Sequence, residues 1–243
     1  MLKTKNKNIM DIASQKVKQK NKPISYGTNW HYEALSHKTK KALMFLSEEK
    51  WLKEQSWYLA GGTALALQAG NRKSLDLDFF TQEKNFDEKK LTERFIENNN
   101  WQTEVEDRNT VYGELFKAKV SFIAYPFFIP KQEPSWHGSI RVLNPIDIGV
   151  MKITAISQRG RKRDFFDLYW CAKNIEPLEN IIKRLKIQYP SVAHDYHHIL
   201  KSLVYFEDAE SDPEPEIYFD ANWKKVKIFF TKEIPIIAEK IMR

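Results

Sequence analysis

The sequence predicts an α+β fold in which strands and helices alternate over residues 24–143 and helices alone follow, and three observations predict it. First, the apolar run Trp57 to Ala60 ends in Gly61 and Gly62 and leads into Thr63–Ala69, whose Ala and Leu content favours helix, so a strand feeds a helix through a glycine pair. Second, the stretches Trp101–Glu106, Thr110–Phe116 and Lys119–Phe127 read as strands separated by short polar turns, an antiparallel meander. Third, from Asn144 onward the apolar residues recur at helical spacing.

The whole chain bounds the reading. At 243 residues, with Trp, Tyr and Phe present seven, ten and fifteen times, it is long enough to bury a sizeable core. Its longest apolar run, Phe122 to Ile129, is interrupted by Pro126 and falls far short of the ~20 residues a membrane helix needs. A single cysteine, Cys171, excludes an internal disulfide framework. No secretory signal is recognisable, so a soluble protein of the reducing cytoplasm is expected. The net charge of +7 is concentrated: residues 1–22 carry seven lysines against Asp11, or +6, which leaves the rest of the chain near +1. Residues 1–23 are therefore expected as a basic, mobile tail, with a non-specific phosphate-binding arm as the alternative.

The elements follow in order. Ser36 can cap a helix running to about Gln55, with Ala42, Leu43, Leu46 and Leu52 on one face. After the glycine pair and its helix, alternation in an extended strand places Asp76 and Asp78 on one side and Leu75, Leu77 and Phe79 on the other. Asp87–Asn98 is a second amphipathic helix. If the last strand of the meander lies beside the aspartates, the polar residue it offers them is Ser121. Asn144 caps the next helix, with Pro145 at its first position, Asp147 in its first turn and an apolar stripe of Ile148, Met151 and Ala155. Gly160 ends that helix, and Asp164 opens another in which Asp167 lies one turn on. Helices are also expected over Leu178–Ile187, Ser191–Val204, Asn222–Thr231 and Glu233–Ile241, with the acidic stretch Glu207–Glu216 as a solvated loop between them.

The chemistry concentrates in Trp57–Thr81. Two carboxylates on one face repel unless a cation, a proton or a basic neighbour offsets the charge, and paired carboxylate oxygens are what a hard ion such as Mg2+ prefers. A strand entering a helix through glycines leaves free N–H groups at a positive dipole end, a seat for phosphate. Thirteen residues separate Gly62 from Asp76, the length of a helix and return loop, which brings the two features together. Lys152, Arg159, Arg163, Asp164 and Asp167 form either a salt-bridged helix junction or a cationic wall for a polyphosphate, and one junction can do both. His194, His197 and His198 have no thiol or carboxylate to complete a metal site, and Cys171 in its apolar setting reads as a packing residue. No P-loop or Rossmann glycine pattern occurs.

The segments YLAGGTALALQAGNRKSLDLDFF, GVMKITAISQRGRKRDFFDLYW and SLVYFEDAE resemble the AbiEii/AbiGii toxin family of nucleotidyltransferases, a branch of the polymerase-beta-like superfamily, over roughly Tyr58 to Phe230. The resemblance implies a mixed sheet flanked by helices: a nucleotidyltransferase core at 24–143 and a helical domain at 144–243 that completes the nucleotide site. It implies that Asp76 and Asp78 hold Mg2+, in a two-metal arrangement, on the triphosphate of an NTP. Gly61, Gly62 and Thr63, with Arg72 and Ser74, would contact phosphates; Lys152, Arg159 and Arg163 would bind the nucleotide; Asp164 and Asp167 would match the family's second acidic pair and stand with Asp76, Asp78 and Lys152 as the catalytic set. It further implies a cognate antitoxin as partner, and an RNA, such as a tRNA 3′ end, or a protein hydroxyl as acceptor.

Two residues depart from the family pattern. Asn71 stands where a His is common, and Ser121 occupies the strand position at which polymerase-beta-like enzymes carry a third carboxylate, the usual base. Base catalysis would then fall to Glu114, to Asp164 or Asp167, or to the metal alone. Two functions are accordingly carried: a toxin that transfers NMP from an NTP, and a catalytically silent nucleotide- or RNA-binding module that acts through a partner protein.

Overall fold

In this computed structural model residues 29–95 and 100–242 are described, so the lysine-rich segment and residues 96–98 of the helix expected over Asp87–Asn98 lie outside them. The framework is one seven-stranded sheet. Its strands are β1 (Tyr58–Ala60), β2 (Leu77–Thr81), β3 (Trp101–Asp107), β4 (Thr110–Leu115), β5 (Ala118–Ala124), β6 (Ser135–His137) and β7 (Ile140–Val142), in the spatial order β3-β4-β5-β2-β1-β7-β6. The sheet is mixed: β2 runs parallel to β5 and β1 parallel to β7, while the other neighbours are antiparallel. The expected meander is present as β3–β4–β5. Strands β6 and β7 were not expected, because three residues are too few for an alternating pattern to register.

One face of the sheet carries Leu77, Phe79, Val120, Phe122, Val111 and Leu115, all buried. Phe122 is the centre of this layer, stacked on Phe79 at 5.2 Å and met edge-on by Trp57 at 5.3 Å between ring centroids. Helix α1 (His37–Glu48) covers β5, its Ser36 cap accepting from the Thr39 N–H at 3.2 Å. The single helix expected to Gln55 is two, because Glu49 leaves the helical region at ψ 94° before α2 (Lys50–Glu54) begins. Leu75 does not join Leu77 and Phe79 in the core. It is 48 % exposed and precedes the first residue of β2, where Thr39 Oγ1 donates to its carbonyl at 2.6 Å.

Helix α3 (Gly61–Ala69) is buried on all sides through Ala64–Leu67, as a helix apolar all round must be. It packs against β1, β2 and two helices of the C-terminal half, α5 (Pro145–Arg159) and α6 (Lys162–Asn174). A short α4 (Glu88–Glu93), capped by Asp87, precedes the meander. After α6 come α7 (Leu178–Gln188), α8 (Tyr196–Ser202), α9 (Glu207–Glu210) and α10 (Trp223–Ile241). The helix expected from Ser191 begins at Tyr196, capped by Asp195. The two helices expected at the end of the chain are one. Pro235 removes a backbone donor, but Val226, Phe230, Ile234 and Ile237 continue the buried stripe through it. The change from strands to helices near residue 144 is a change of element type, and a single apolar cluster is continuous across it.

Three polar anchors set the helical half in place. The Asn144 side chain caps α5 by accepting from the Ile146 N–H at 3.0 Å. Asp147 is buried and accepts from the N–H groups of Lys131 and Gln132, each at 3.0 Å, and from the Gln188 amide, which ties the loop after β5 to α5 and α7. The acidic stretch 207–216 is pinned rather than free. Its Asp212 accepts from the Lys162 N–H at 2.9 Å and from Arg161 Nη1 at 2.7 Å, because the cationic start of α6 needs partners.

The strongest tie is a buried ion cluster. Asp167 on α6 accepts from Arg72 Nε and Nη2, both at 2.8 Å, and from Asn71 Nδ2 at 3.1 Å, while Lys152 Nζ on α5 lies 2.7 Å from its other side. Lys152 Nζ also donates to Asp164 at 2.6 Å. Burial alone would raise the Asp167 carboxyl, but Arg72 and Lys152 outweigh it and hold the group well below the usual carboxylate range. A depressed folded pKa contributes stability that is present above the unfolded value, near ~3.9, and is lost as pH falls below it. We predict that Asp167→Asn, which leaves Arg72 without its ionised partner, lowers unfolding free energy by about 3–5 kcal/mol in urea titrations at neutral pH. The deficit relative to the unaltered chain should shrink as pH is lowered below about 4; a loss under about 1 kcal/mol at neutral pH would show that the cluster does not brace the fold.

Candidate active site

The register of the sheet sets the aspartates. Ala60, Asp78, Ser121 and Tyr112 lie side by side on four adjacent strands, β1, β2, β5 and β4. Residues opposite one another share a face, so Asp78, Ser121 and Tyr112 all project away from the Phe122 core. Ser121 Oγ donates to Asp78 Oδ1 at 2.9 Å. The other oxygen of Asp78 lies over the start of α3: a Cβ on Gly61 would meet Oδ2 at 2.8 Å. Gly61 also has φ +67°, in the region glycine tolerates, so both its backbone and its missing side chain are required by the approach of Asp78. Burial, reinforced by the like charge of Asp76, raises the Asp78 carboxyl above its ordinary range despite the Ser121 hydrogen bond. Asp76, just before β2, is partly exposed and has Arg163 Nη1 3.5 Å from Oδ2.

Two clefts meet at Asp78. The first, of about 340 Å³, lies between the sheet and α5; Gly61, Asp78, Phe80, Tyr125, Met151, Lys152, Arg159 and Arg163 are in its wall. The second, of about 240 Å³, lies over the outer strands and is lined by Asp76, Asp78, Ser121, Tyr112, Lys119 and Glu104. Met151 and Ala155, which with Ile148 make the expected apolar stripe, are part-buried in the wall of the first cleft; Val150, Ile153 and Ile156 fill the core.

The expected phosphate contacts divide. Gly61 and Gly62 open α3, whose N-terminus no side chain caps, and the N-cap residue is Ala60. Thr63 and Ser74 are buried and engaged with each other, their hydroxyls 2.8 Å apart, and Thr63 Oγ1 also donates to the Asp76 carbonyl. Arg72 is 4 % exposed and locked on Asp167. It lies so close to Gly62 that a Cβ there would come 2.0 Å from its Nη2. None of these three side chains has a group left to offer the cleft, because each hydroxyl or guanidinium satisfies a buried partner.

The cationic set divides too. Lys152 is buried; burial works against its ammonium, and Asp164 and Asp167 overcome this and raise its pKa. Arg159 and Arg163 are the open cations, with side chains 58 % and 50 % exposed. Asp167 has every lone-pair direction occupied. Asp164 does not: its Oδ2 lies 3.6 Å from Arg159 Nε but has no hydrogen-bond donor among the described residues, and it borders the first cleft. Asn71, noted only as a departure from the family pattern, is one of the donors on Asp167. Two of the three histidines are engaged with backbone, His194 before α8 with the Tyr189 carbonyl and His198 within it with the Ser157 carbonyl, each at 3.1 Å. Cys171 is buried and its thiol is pushed up by that burial, so it is a packing residue. No group of three or more His, Cys, Asp or Glu suited to a metal occurs among the described residues. No helix among them is long and apolar enough to cross a membrane.

Comparison with known proteins places the chain in a family and a fold. The family model described as the nucleotidyl transferase AbiEii toxin of type IV toxin–antitoxin systems matches residues 45–134 and 109–239. An uncharacterized protein of Aquifex aeolicus is 34% identical over 186 residues, covering 73% of this chain and 86% of that relative. Among solved structures, MenT4, a nucleotidyltransferase toxin of Mycobacterium tuberculosis, is similar with a TM-score of 0.52 at 16% identity, over 84% of this chain and 86% of that one. A nucleotidyltransferase of H. pylori is similar with a TM-score of 0.50 at 20% identity, over 85% and 97% of the two chains. At these identities the structures bear on the fold, a mixed sheet flanked by helices, while the family model and the Aquifex relative bear on descent. The chain belongs to the AbiEii family of nucleotidyltransferase toxins.

Proposed function

We propose that this toxin transfers a nucleoside monophosphate from an NTP to a hydroxyl of an RNA or a protein, with Asp76 and Asp78 as the seat of Mg2+ in the two-ion arrangement that its resemblance implies. One observation carries the reading: Asp78 Oδ2 is packed against Gly61, at the uncapped N-terminus of α3. An anion held by those N–H groups therefore lies beside a carboxylate, an arrangement that only a bridging cation makes favourable. The donor set fits a hard divalent ion, being two carboxylates with oxygens facing the two clefts. Such an ion would neutralise triphosphate charge and polarise the α-phosphorus.

The protein's own residues do the rest. The α3 N-terminus and the open guanidinium groups of Arg159 and Arg163 hold the phosphates, and Phe80, Tyr125 and Met151 give the nucleoside an apolar seat in the first cleft. Lys152 presents a charge fixed in place by Asp164 and Asp167, and Arg72 with Asn71 fixes Asp167. Arg72, Thr63, Ser74 and Asp167 are thus positioning residues, and Asp164 keeps one oxygen for the nucleotide. The acceptor oxygen bonds to the α-phosphorus, the bridge to the β-phosphate breaks, and pyrophosphate leaves. A cognate antitoxin and a reducing cytoplasm complete the reading.

With labelled NTPs, Mg2+ and total tRNA or lysate, label transfer is expected and should fall by a factor on the order of 10³ in Asp78→Ala. Labelling that persists unchanged in that variant, or none from the unaltered chain, would defeat the proposal and leave a silent binding module. Arg163→Ala, at an exposed position, should raise the KM for NTP about tenfold with stability unchanged, since one charge-assisted hydrogen bond contributes about 1.5 kcal/mol. An unchanged KM would remove Arg163 from the phosphate site.

A further inference from the structure

We infer that the second cleft receives the acceptor and that Glu104 is the base that takes the acceptor hydroxyl's proton. This inference rests on the transfer reading above. Phosphoryl-type transfer places the attacking and leaving oxygens roughly in line across phosphorus. A nucleotide on the Gly61 side of Asp78 occupies the first cleft, so attack comes from the opposite side, where Asp78 borders the second.

The strand position that faces Asp78 carries Ser121, which cannot act as a carboxylate base and already donates to Asp78. Asp76 shares the second cleft but belongs with Asp78 to the proposed cation seat, and the remaining candidates are placed elsewhere. Asp164 and Asp167 are buried beneath Lys152 on the nucleotide side, and Glu114, on the same sheet face as Tyr112, is not in the wall of the second cleft. Glu104 is in that wall, exposed, with no ion pair or hydrogen bond from its side chain among the described residues.

A β-bulge puts it there. On β3, Thr103 pairs with Gly113 and Val105 with Tyr112, so Glu104 is the extra residue opposite the Gly113–Tyr112 step. Thr103 lies on the core side, where its hydroxyl accepts from Trp101 Nε1 at 2.9 Å, whereas both Glu104 and Val105 reach the cleft. Strict alternation would have sent neighbours 104 and 105 to opposite faces; the bulge turns both toward the aspartates. From β3 to β2 there are three strand spacings of about 4.8 Å each, and Glu104 and Asp78 project into this gap from its two ends. An acceptor hydroxyl between them lies within direct or water-bridged reach of a base. Lys119, in the same wall, is a cation for acceptor phosphate or carboxylate, and exposed Tyr112 and Val105 are an apolar floor. In the step, the hydroxyl oxygen forms its bond to the α-phosphorus, its proton passes to the Glu104 carboxylate, and pyrophosphate leaves with the electron pair of the broken P–O bond.

The test compares Glu104→Gln, Glu104→Asp and Glu114→Gln in the full-length chain, reading kcat against pH for label transfer, Mg-NTP affinity by calorimetry, and melting temperature. Glu104→Gln should lower kcat by about 10²–10⁴-fold and flatten the acid limb of the pH profile, with NTP affinity and melting temperature unchanged. Glu104→Asp should keep part of the rate, and Glu114→Gln all of it. A Glu104→Gln rate within about threefold of the unaltered chain, or a loss matched by lost NTP affinity, overturns the inference. An unaltered chain with no Asp78-dependent transfer overturns the transfer reading, and this inference with it.

Discussion

Everything in this molecule that concerns its cleft depends on the satisfaction of one buried carboxylate. Asp167 is 0% exposed and takes donors from two places: the loop after α3 through Asn71 and Arg72, and α5 through Lys152. An ionised carboxylate without water is tolerated only where its lone pairs are all engaged. Meeting that demand forces the loop that leads to the aspartate strand and the first helix of the C-terminal half to come together. The two walls of the first cleft are therefore aligned by an electrostatic requirement of the interior, and Gly62 is small because Arg72 must pass it to reach its partner.

A second constraint acts on the open side of the same loop. Asp76 and Asp78 face one region with little to neutralise them: Arg163 stands 3.5 Å from Asp76, and among the described residues the Ser121 hydroxyl is the one hydrogen-bond donor to Asp78. The cluster around Asp167 is balanced, two cations against two carboxylates, whereas the pair at 76 and 78 is not. Two carboxylate pairs in one molecule, one neutralised from within and one left open at a cleft, have opposite employments. The first braces the interior, and the second leaves uncompensated negative charge at the edge of the two clefts.

How far the sequence announced this follows the range of the interactions. Alternation and helix caps are local, so the aspartate face, the meander, the Ser36 and Asn144 caps and the stop at Gly160 could be read directly. The facing of Asp78 by Ser121 was legible because it needs only one strand pairing. The contact of Arg72 with Asp167 was not legible because its partner lies 95 residues away, and an arginine beside an acidic strand looks the same in sequence whether it meets a phosphate or a buried aspartate. The pairing of Thr63 with Ser74 was hidden in the same manner. Glu104 carried no signal at all, since a bulge is a property of how two strands register and alternation is the rule it breaks. Leu75 shows the complement: the pattern extends two residues beyond the true start of the strand at Leu77.

The central claim is that the open aspartate pair and the α3 N-terminus form one metal–phosphate seat, framed by the Asp167 cluster. It is tested most directly by a crystal structure of the full-length chain with Mn2+ and a non-hydrolysable NTP, using the anomalous signal of the metal. The account predicts an anomalous peak between Asp76 and Asp78, phosphates over Gly61 and Gly62, and the contacts of Arg72 and Lys152 with Asp167 intact. Metal bound away from both aspartates, or a triphosphate that draws Arg72 off Asp167, would contradict it.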